Sequence, residues 1–394
     1  MSRSYLVPKA EQGHQMHWEE LRQSSEYRLR RCGRFFVAEL LRPSRVLSTS
    51  TKNGGQTERV RFLVNHQSCE ATAHRERHAQ ITEMGMGAYH DAACGEIGLP
   101  PDEVALMGTA ANMNYASIVE CSAYDTSVTA VVTAGVHGNA TCAGDPTSWR
   151  ETDHGWEKIE NAPPPYSGTI NTLLLISCSL TEGALARAVV TMTEAKSAAL
   201  RQLAIRSLYS KDFATGTSTD QFCIASAVAG GKPRTSTSTG TALGELMGVA
   251  VRDATLEALR WQNGLEPSYT RGLFHALGRY GLSEEGFFHA IAPYLSKGEL
   301  ELLRANSKAV VFEPLVAAAA YAMASVLDRS RYGILPASVA REAFRQQAAT
   351  IAASVAARPG GWADFHGKLG EADLEHPADG VVRAIALGWS AKWC

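Results

Sequence analysis

A chain of 394 residues with 45% apolar and 20% charged residues has an ordinary soluble, globular makeup, long enough for two or three domains. Its formal charge of -2 supplies no field for nucleic acid or an anionic membrane, so neither is expected as a partner. Eight scattered cysteines without a CxxC pair point to reduced thiols in a cytoplasmic protein and away from a structural zinc site.

The first twenty residues carry charges throughout and no apolar h-region, so no secretory leader is read there, and 1–30 reads as an irregular arm. Arg34 to Leu41 and Ser44 to Ser50 read as strands, followed by Lys52-Asn53-Gly54-Gly55. An Asn-Gly pair between strand-like runs signals a turn, because both residues tolerate positive φ. Arg59 to Asn65 is the strand that follows. His74, His78 and His90 fall in or beside a helical stretch with Glu76 and Glu83. His74 and His78, at i and i+4, share a helix face, but HRERH is highly charged and no HExxH is present. A solvated face is therefore expected, with no metal site.

Val104 to Thr109 reads as a strand ending on small residues. Ser127 to Ala134 is a β-branched strand running into Gly135-Val136-His137-Gly138-Asn139. Glycines around a His and an Asn at that place serve either close approach to a ligand or a tight turn. Residues 144–167, rich in Pro, Asp, Gly and Trp, read as a loop. Gly168-Thr169-Ile170-Asn171 leads into the apolar strand Leu173 to Ile176, and Leu185 to Leu208 has helical spacing and carries Glu194 and Lys196. Thr215 to Asp220 is a small polar cluster, 230–242 a polar loop, and Leu243 to Trp261 an amphipathic helix.

Beyond Gly264 the pattern becomes helix, Pro/Gly punctuation, helix, with segments at 270–280, 283–292, 297–305, 309–328, 336–357 and 380–391. Leu315 to Leu327 is the longest nearly uncharged apolar run and falls short of the roughly 20 residues a membrane span needs, so it reads as a buried helix. The expected organisation is an arm at 1–30, a catalytic domain at 31–264 and an all-α region at 265–394. The expected class is α+β: a mixed or antiparallel sheet with flanking helices, in one version an αββα sandwich, then the helical region.

There is no GxxxxGK[ST], no GxSxG and no GxGxxG after a strand, which argues against nucleotide chemistry and the α/β-hydrolase scaffold. The remaining polar clusters at strand ends suit hydrolysis or transfer at a carbonyl. Glu194 or Asp220 can take a proton, Lys196 and Gly-linked backbone amides can stabilise an oxyanion, and Thr217, Thr215 or Thr169 offers a hydroxyl. The bland alternatives are an exposed helix pair for Glu194 and Lys196 and a capped turn for Thr215 to Asp220.

The series VLSTSTKNGG…FLVN, GTAANMN, VTAGVHGNATCAG, GTINTLLLI, MTEAKSAAL, ATGTSTDQFCIAS and STGTALGELMGVAV, in that order over roughly residues 43–260, resembles the adenosylcobinamide amidohydrolase family. The resemblance implies corrinoid salvage: hydrolysis of the amide between the aminopropanol arm and the corrin ring of adenosylcobinamide, giving adenosylcobyric acid and 1-amino-2-propanol. It carries over Asn53, Gly55, Asn65, Asn139, Thr169, Asn171, Glu194, Lys196, Thr217 and Asp220. Glu194 or Asp220 is then the base, Lys196 and the Gly168-Thr169 or Gly135-Val136 amides are oxyanion donors, and Thr217 is a possible nucleophile. Asn53, Asn65, Asn139 and Asn171, with Gly54, Gly55, Gly135, His137, Gly168 and Thr169, would hold the corrinoid, since one primary amide pairs well with another. The corrinoid is substrate, so no cofactor is demanded, and an ion on Glu, Asp and Asn oxygens stays compatible. The helical region after 264 departs from the family pattern and has three readings: a cover for the site, a homo-oligomer surface or a partner-binding unit. Two rival functions are a corrinoid carrier without hydrolysis and an autoprocessing enzyme with an internal Thr as N-terminal nucleophile. The latter would give two fragments in place of an intact 42.4 kDa chain.

Overall fold

Alternation of apolar and polar residues along eleven short strands builds two sheets in the first of two compact units. The computed structural model of the protein describes residues 17–69, 74–159, 168–228 and 231–393. The first unit takes the chain up to Asn139, then Pro164–Ala199 and Gly216–Asn263, and the second takes Ala140–Pro163, Leu200–Thr215 and Gly264–Cys394.

The strands of the first unit are β1 (Glu19–Gln23), β2 (Tyr27–Cys32), β3 (Phe35–Leu40), β4 (Ser44–Ser48), β5 (Gly55–Thr57), β6 (Phe62–Gln67), β7 (Val104–Thr109), β8 (Ser117–Ala123), β9 (Thr126–Ala134), β10 (Ile170–Ile176) and β11 (Gln221–Ala227). One sheet has the order β1-β2-β3-β6-β7 and the other β5-β4-β11-β10-β9-β8. Only β6/β7 and β10/β11 run parallel; Asn65 is registered with Met107 and Asn171 with Gln221.

Leu29, Phe36, Leu63 and Met107 of the first sheet share one core with Val131, Leu173, Leu175 and Cys223 of the second. Because side chains alternate, Phe35, Val37 and Val64 face the other way, against Ile81 of α1 (His74–Met84) and Tyr89 and Ala93 of α2 (Met86–Glu96). Helix α3 (Glu182–Gln202) joins parallel β10 to β11, and α4 (Ala242–Asn263) lies on β8 and β9. These layers make the unit α+β with mixed sheets, as expected.

The irregular arm expected up to residue 30 is corrected over 19–30, where β1 and most of β2 lie. Tyr27 and Leu29 alternate with Arg28 and Arg30, whose guanidinium groups reach Glu39 at 3.0 and 3.3 Å. Charge on the outward face hid a regular strand.

The Asn-Gly turn is a hairpin turn between β4 and β5, with Asn53 at φ 59 and Gly55 at φ 74. A Cβ at Gly54 would sit 1.9 Å from the Ser50 carbonyl oxygen. Gly54→Ala is therefore expected to destabilise the first unit by about 1–3 kcal/mol, read as a lower midpoint in thermal melting.

The second unit is helical after Gly264, with α5 (Glu284–Ile291), α6 (Lys297–Ala305), α7 (Pro314–Arg331), α8 (Ala337–Val355) and α9 (Pro377–Ala391) as its longer helices. Phe287, Leu303, Met323, Phe344, Ile351 and Trp389 form its core. The apolar run Leu315 to Leu327 lies in α7, where Val316, Ala320, Met323 and Leu327 are buried in that core. Among the described residues no helix is long and apolar enough to cross a membrane.

Buried Arg279 and Asp328 form a two-pronged pair at 2.5 and 2.6 Å, and Tyr280 donates its hydroxyl to the same carboxylate at 2.5 Å. Segment 200–215 is tied to these helices. Arg279 donates to Lys211 O at 2.9 Å, His275 Nε2 to Leu203 O at 2.7 Å, and Arg331 Nη1 to Asp212 at 3.1 Å. The loop expected over 144–167 contains an exposed hairpin, Trp149–Thr152 paired with Gly155–Lys158; residues 160–167 lie outside the described residues.

Candidate functional site

A cavity of about 370 Å3 lies in the first unit, where the β6 and β7 strands end and β10 and β11 begin. Ser68 and Cys69 follow β6, Gly108 and Thr109 end β7, and Gly168 and Thr169 precede β10. Ser218, Thr219 and Gln221 come from the approach to β11, and Asn139 from the turn after β9. Helices α1 and α2 close it with His78, Ile81, Met86, Tyr89 and His90. Among the described lining residues there is no Asp, Glu, Lys or Arg. The wall is one of hydroxyls, amides and two imidazoles beside an apolar rim, suited to a neutral polar group.

Three of the residues proposed from sequence as corrinoid ligands line this cavity: Asn139, Gly168 and Thr169. They form one knot with the 216–220 turn. Asn139 Nδ2 donates to Gly168 O at 2.9 Å, Ser218 donates to Asn139 Oδ1 at 2.9 Å, and Thr169 donates to Thr219 O at 2.6 Å. A Cβ at Gly168 would lie 2.8 Å from Gly135 O, so only glycine admits this closeness. The Gly135 amide donates to Thr169 O at 2.9 Å and the Val136 amide to Asn263 Oδ1 at 3.0 Å. Both are thereby engaged, which leaves Gly168-Thr169 as the pair of the two that borders the cavity. His137 is exposed and outside the lining.

Lys196, Asp220 and Thr217 are brought together behind Ser218 and Thr219. Asp220 Oδ1 accepts from Ile170 N at 3.0 Å, Thr217 N at 3.1 Å and Thr217 Oγ1 at 2.5 Å, while Oδ2 accepts from Lys196 Nζ at 2.5 Å. Three donors converge on Oδ1 and the Lys196 ammonium holds Oδ2. A Cβ at Gly216 would sit 2.3 Å from Asp220 Oδ2, so the turn closes directly over the pair. Glu194 is not part of this group. It is exposed on α3, two residues from Lys196, a spacing that places side chains on different helix faces.

Asn65 and Asn171, expected as corrinoid ligands, lie inside the sandwich. Leu63 and Leu173 face the shared core, and period-2 alternation sends Asn65 and Asn171 the same way. Asn171 Nδ2 donates to Asn65 Oδ1 at 2.8 Å and Asn65 Nδ2 to Thr133 Oγ1 at 2.8 Å, joining the two sheets. Asn53 also turns from the cavity: its amide donates to Pro101 O and Val104 O, both at 2.8 Å. Gly54 and Gly55 stay in the hairpin turn.

His78, on the charged HRERH helix α1, is exposed as expected and lines the cavity, while His90, on α2, is 2% exposed and lines it from the buried side. The side chain of His74 lies outside the described residues. Among the described residues no three His, Cys, Asp or Glu side chains are grouped to hold a metal ion.

His66, on the α1/α2 side of β6, stacks on Phe35 at 4.2 Å and lies 2.8 Å from the Tyr89 hydroxyl. Burial, with Arg34 and Arg77 nearby, lowers its pKa from 6.5 to about 3. The folded state thus prefers the neutral ring, and protonation favours unfolding. The contribution is fully present above pH 6.5 and is lost as pH falls toward 3, by about 4–5 kcal/mol in all. Urea unfolding at pH 7 and pH 4 is expected to show about 3 kcal/mol of this loss, and His66→Leu to flatten it.

Ser68, Tyr89 and Gln221 line the cavity without having been singled out from sequence, and His90, named only beside the charged helix, lines it too. For the helix the missed signal was the i, i+4 pair Tyr89 and Ala93, an apolar edge that brings His90 inward beside it.

The adenosylcobinamide amidohydrolase family model matches residues 19–267. A Methanocaldococcus jannaschii protein described only as uncharacterized is 33% identical over 183 residues, which are 45% of this chain and 71% of that protein.

Proposed function

Because the chain belongs to the adenosylcobinamide amidohydrolase family, we propose that it hydrolyses the amide joining the aminopropanol arm of adenosylcobinamide to the corrin ring. The products are adenosylcobyric acid, which re-enters cobalamin synthesis, and 1-amino-2-propanol. The observation that carries this reading is that every residue lining the cavity falls within the family match.

A cavity of about 370 Å3 with an uncharged wall suits the arm, which is neutral while the amide is intact. The corrin macrocycle with its side chains is larger and stays at the mouth. The Gly168 and Thr169 amides form the rim to which the scissile carbonyl turns, so that its oxygen meets donors as charge develops; the Ser218 and Thr219 hydroxyls, which donate to Asn139 Oδ1 and Gly168 O, hold that rim in shape. In this reading Asp220 is a positioning residue. With Oδ1 held by three donors and Oδ2 by the Lys196 ammonium, it fixes Thr217 and Lys196 so that the turn presents Ser218 and Thr219.

A carrier that binds corrinoid without turnover is the second reading, favoured by the absence of carboxylate and ammonium groups from the described lining. Incubation with adenosylcobinamide and mass spectrometry tests both. Adenosylcobyric acid with free aminopropanol is the expected result, and intact but bound corrinoid would favour the carrier.

A further inference from the structure

We propose that His90 is the general base of the cavity and that Asn53, in the hairpin turn, is the residue that positions it. This rests on the amide-hydrolysis reading above.

His90 lies on α2, is 2% exposed and lines the cavity. Its Nε2 is 3.0 Å from Pro101 O. A carbonyl oxygen only accepts, so Nε2 carries a hydrogen, and when the ring holds a single proton Nδ1 is its acceptor. Among the described residues Nδ1 has no hydrogen-bond partner. That is the tautomer a base requires, selected by a backbone carbonyl.

The Pro101 carbonyl is itself held. Asn53 Nδ2 donates to it at 2.8 Å and to Val104 O at 2.8 Å. Next along the chain, Lys52 Nζ bridges Asp91 at 2.8 Å and Asp102 at 3.3 Å, the residues that follow His90 and Pro101. Ser50 Oγ accepts from Leu106 N at 3.0 Å and donates to Lys52 O at 2.6 Å, anchoring the turn to β7. The Ser50–Asn53 stretch therefore clamps α2 to the 101–104 segment on both sides of the His90–Pro101 contact. This gives the turn a catalytic purpose although Asn53 does not reach the cavity.

In the reaction water attacks the amide carbon and its proton passes to His90 Nδ1. The imidazolium returns that proton to the departing nitrogen as the C–N bond breaks, leaving a carboxylic acid, an amine and the neutral imidazole.

The test is steady-state turnover of adenosylcobinamide by the full chain. His90→Ala is expected to lower kcat by roughly 10²–10⁴-fold with KM little changed, and added imidazole to restore part of it. Asn53→Gly keeps a residue at ease with positive φ and deletes only the amide; it is expected to lower kcat roughly tenfold at similar KM. If Asn53 merely forms the turn, Asn53→Gly keeps wild-type kcat and that half of the assignment falls. A His90→Ala protein with wild-type kcat, or a loss that imidazole leaves unrepaired, overturns the base. A wild-type chain inert toward adenosylcobinamide would instead overturn the hydrolysis reading, and this assignment with it.

Discussion

Asp220→Asn is expected to lower turnover of adenosylcobinamide at least roughly a hundredfold, while Glu194→Gln stays close to wild type. The substitution keeps size and shape, so its effect is electrostatic. In the native chain one oxygen accepts three hydrogen bonds and the other the Lys196 ammonium. The amide places an NH2 group against one of these donor sets and leaves Lys196, only 13% exposed, without its counter-charge. Removing one partner of a mostly buried pair costs about 3–5 kcal/mol, and here the cost falls on the turn that carries Ser218 and Thr219. Glu194 is exposed and outside the cavity lining, so its charge has no route to the same turn. Product formation by mass spectrometry, with urea midpoints for each variant, reads both parts. Wild-type turnover by Asp220→Asn would remove this residue from the functional account.

The second large effect is expected in the helical unit. Asp328→Ala should destabilise it by about 3–5 kcal/mol, because Arg279 would remain buried with its charge unpaired. Three donor contacts, two from Arg279 and one from Tyr280, converge on the Asp328 carboxylate. The Arg279 guanidinium also stacks on Phe213 at 4.2 Å and donates to Lys211 O, so it anchors the 200–215 segment from within. The double variant Arg279→Met with Asp328→Leu is expected to recover much of the loss, since it removes both charges together. Thermal melting followed by far-UV circular dichroism distinguishes the two, and equal melting of single and double variants would contradict the pairing argument.

The helical unit was legible because helix formers, apolar spacing and Pro/Gly punctuation all agree over residues 265–391. The central strands were equally plain where β-branched residues run together, as in Ser127 to Ala134. Strands β1 and β2 and the Trp149–Lys158 hairpin escaped notice because their composition is polar, and a strand at an edge or in solvent has no apolar run to betray it. The polar clusters were found, but their direction was not. Asn65 and Asn171 carry the amide chemistry of ligands, yet strand phase aims them at the opposite sheet. Which face of a strand is the inner one is a property of the assembled sandwich, and residue type alone does not reveal it. His90 lies beyond the charged HRERH run on the next helix, and its tautomer-setting contact comes from Pro101, eleven residues away across a turn.

The interleaving of the two units has a consequence for how the chain is made. Segments 140–163 and 200–215 belong with helices that are synthesised only after residue 263. On the ribosome they must wait, tethered within the first unit's sequence, until their partners emerge. The carbonyls of Leu203 and Lys211 and the Asp212 carboxylate have no native partners before then. A chain stopped at residue 263 would keep the bonds these segments make to each other, such as Ser207 to Asp145, but leave those three acceptors without their partners.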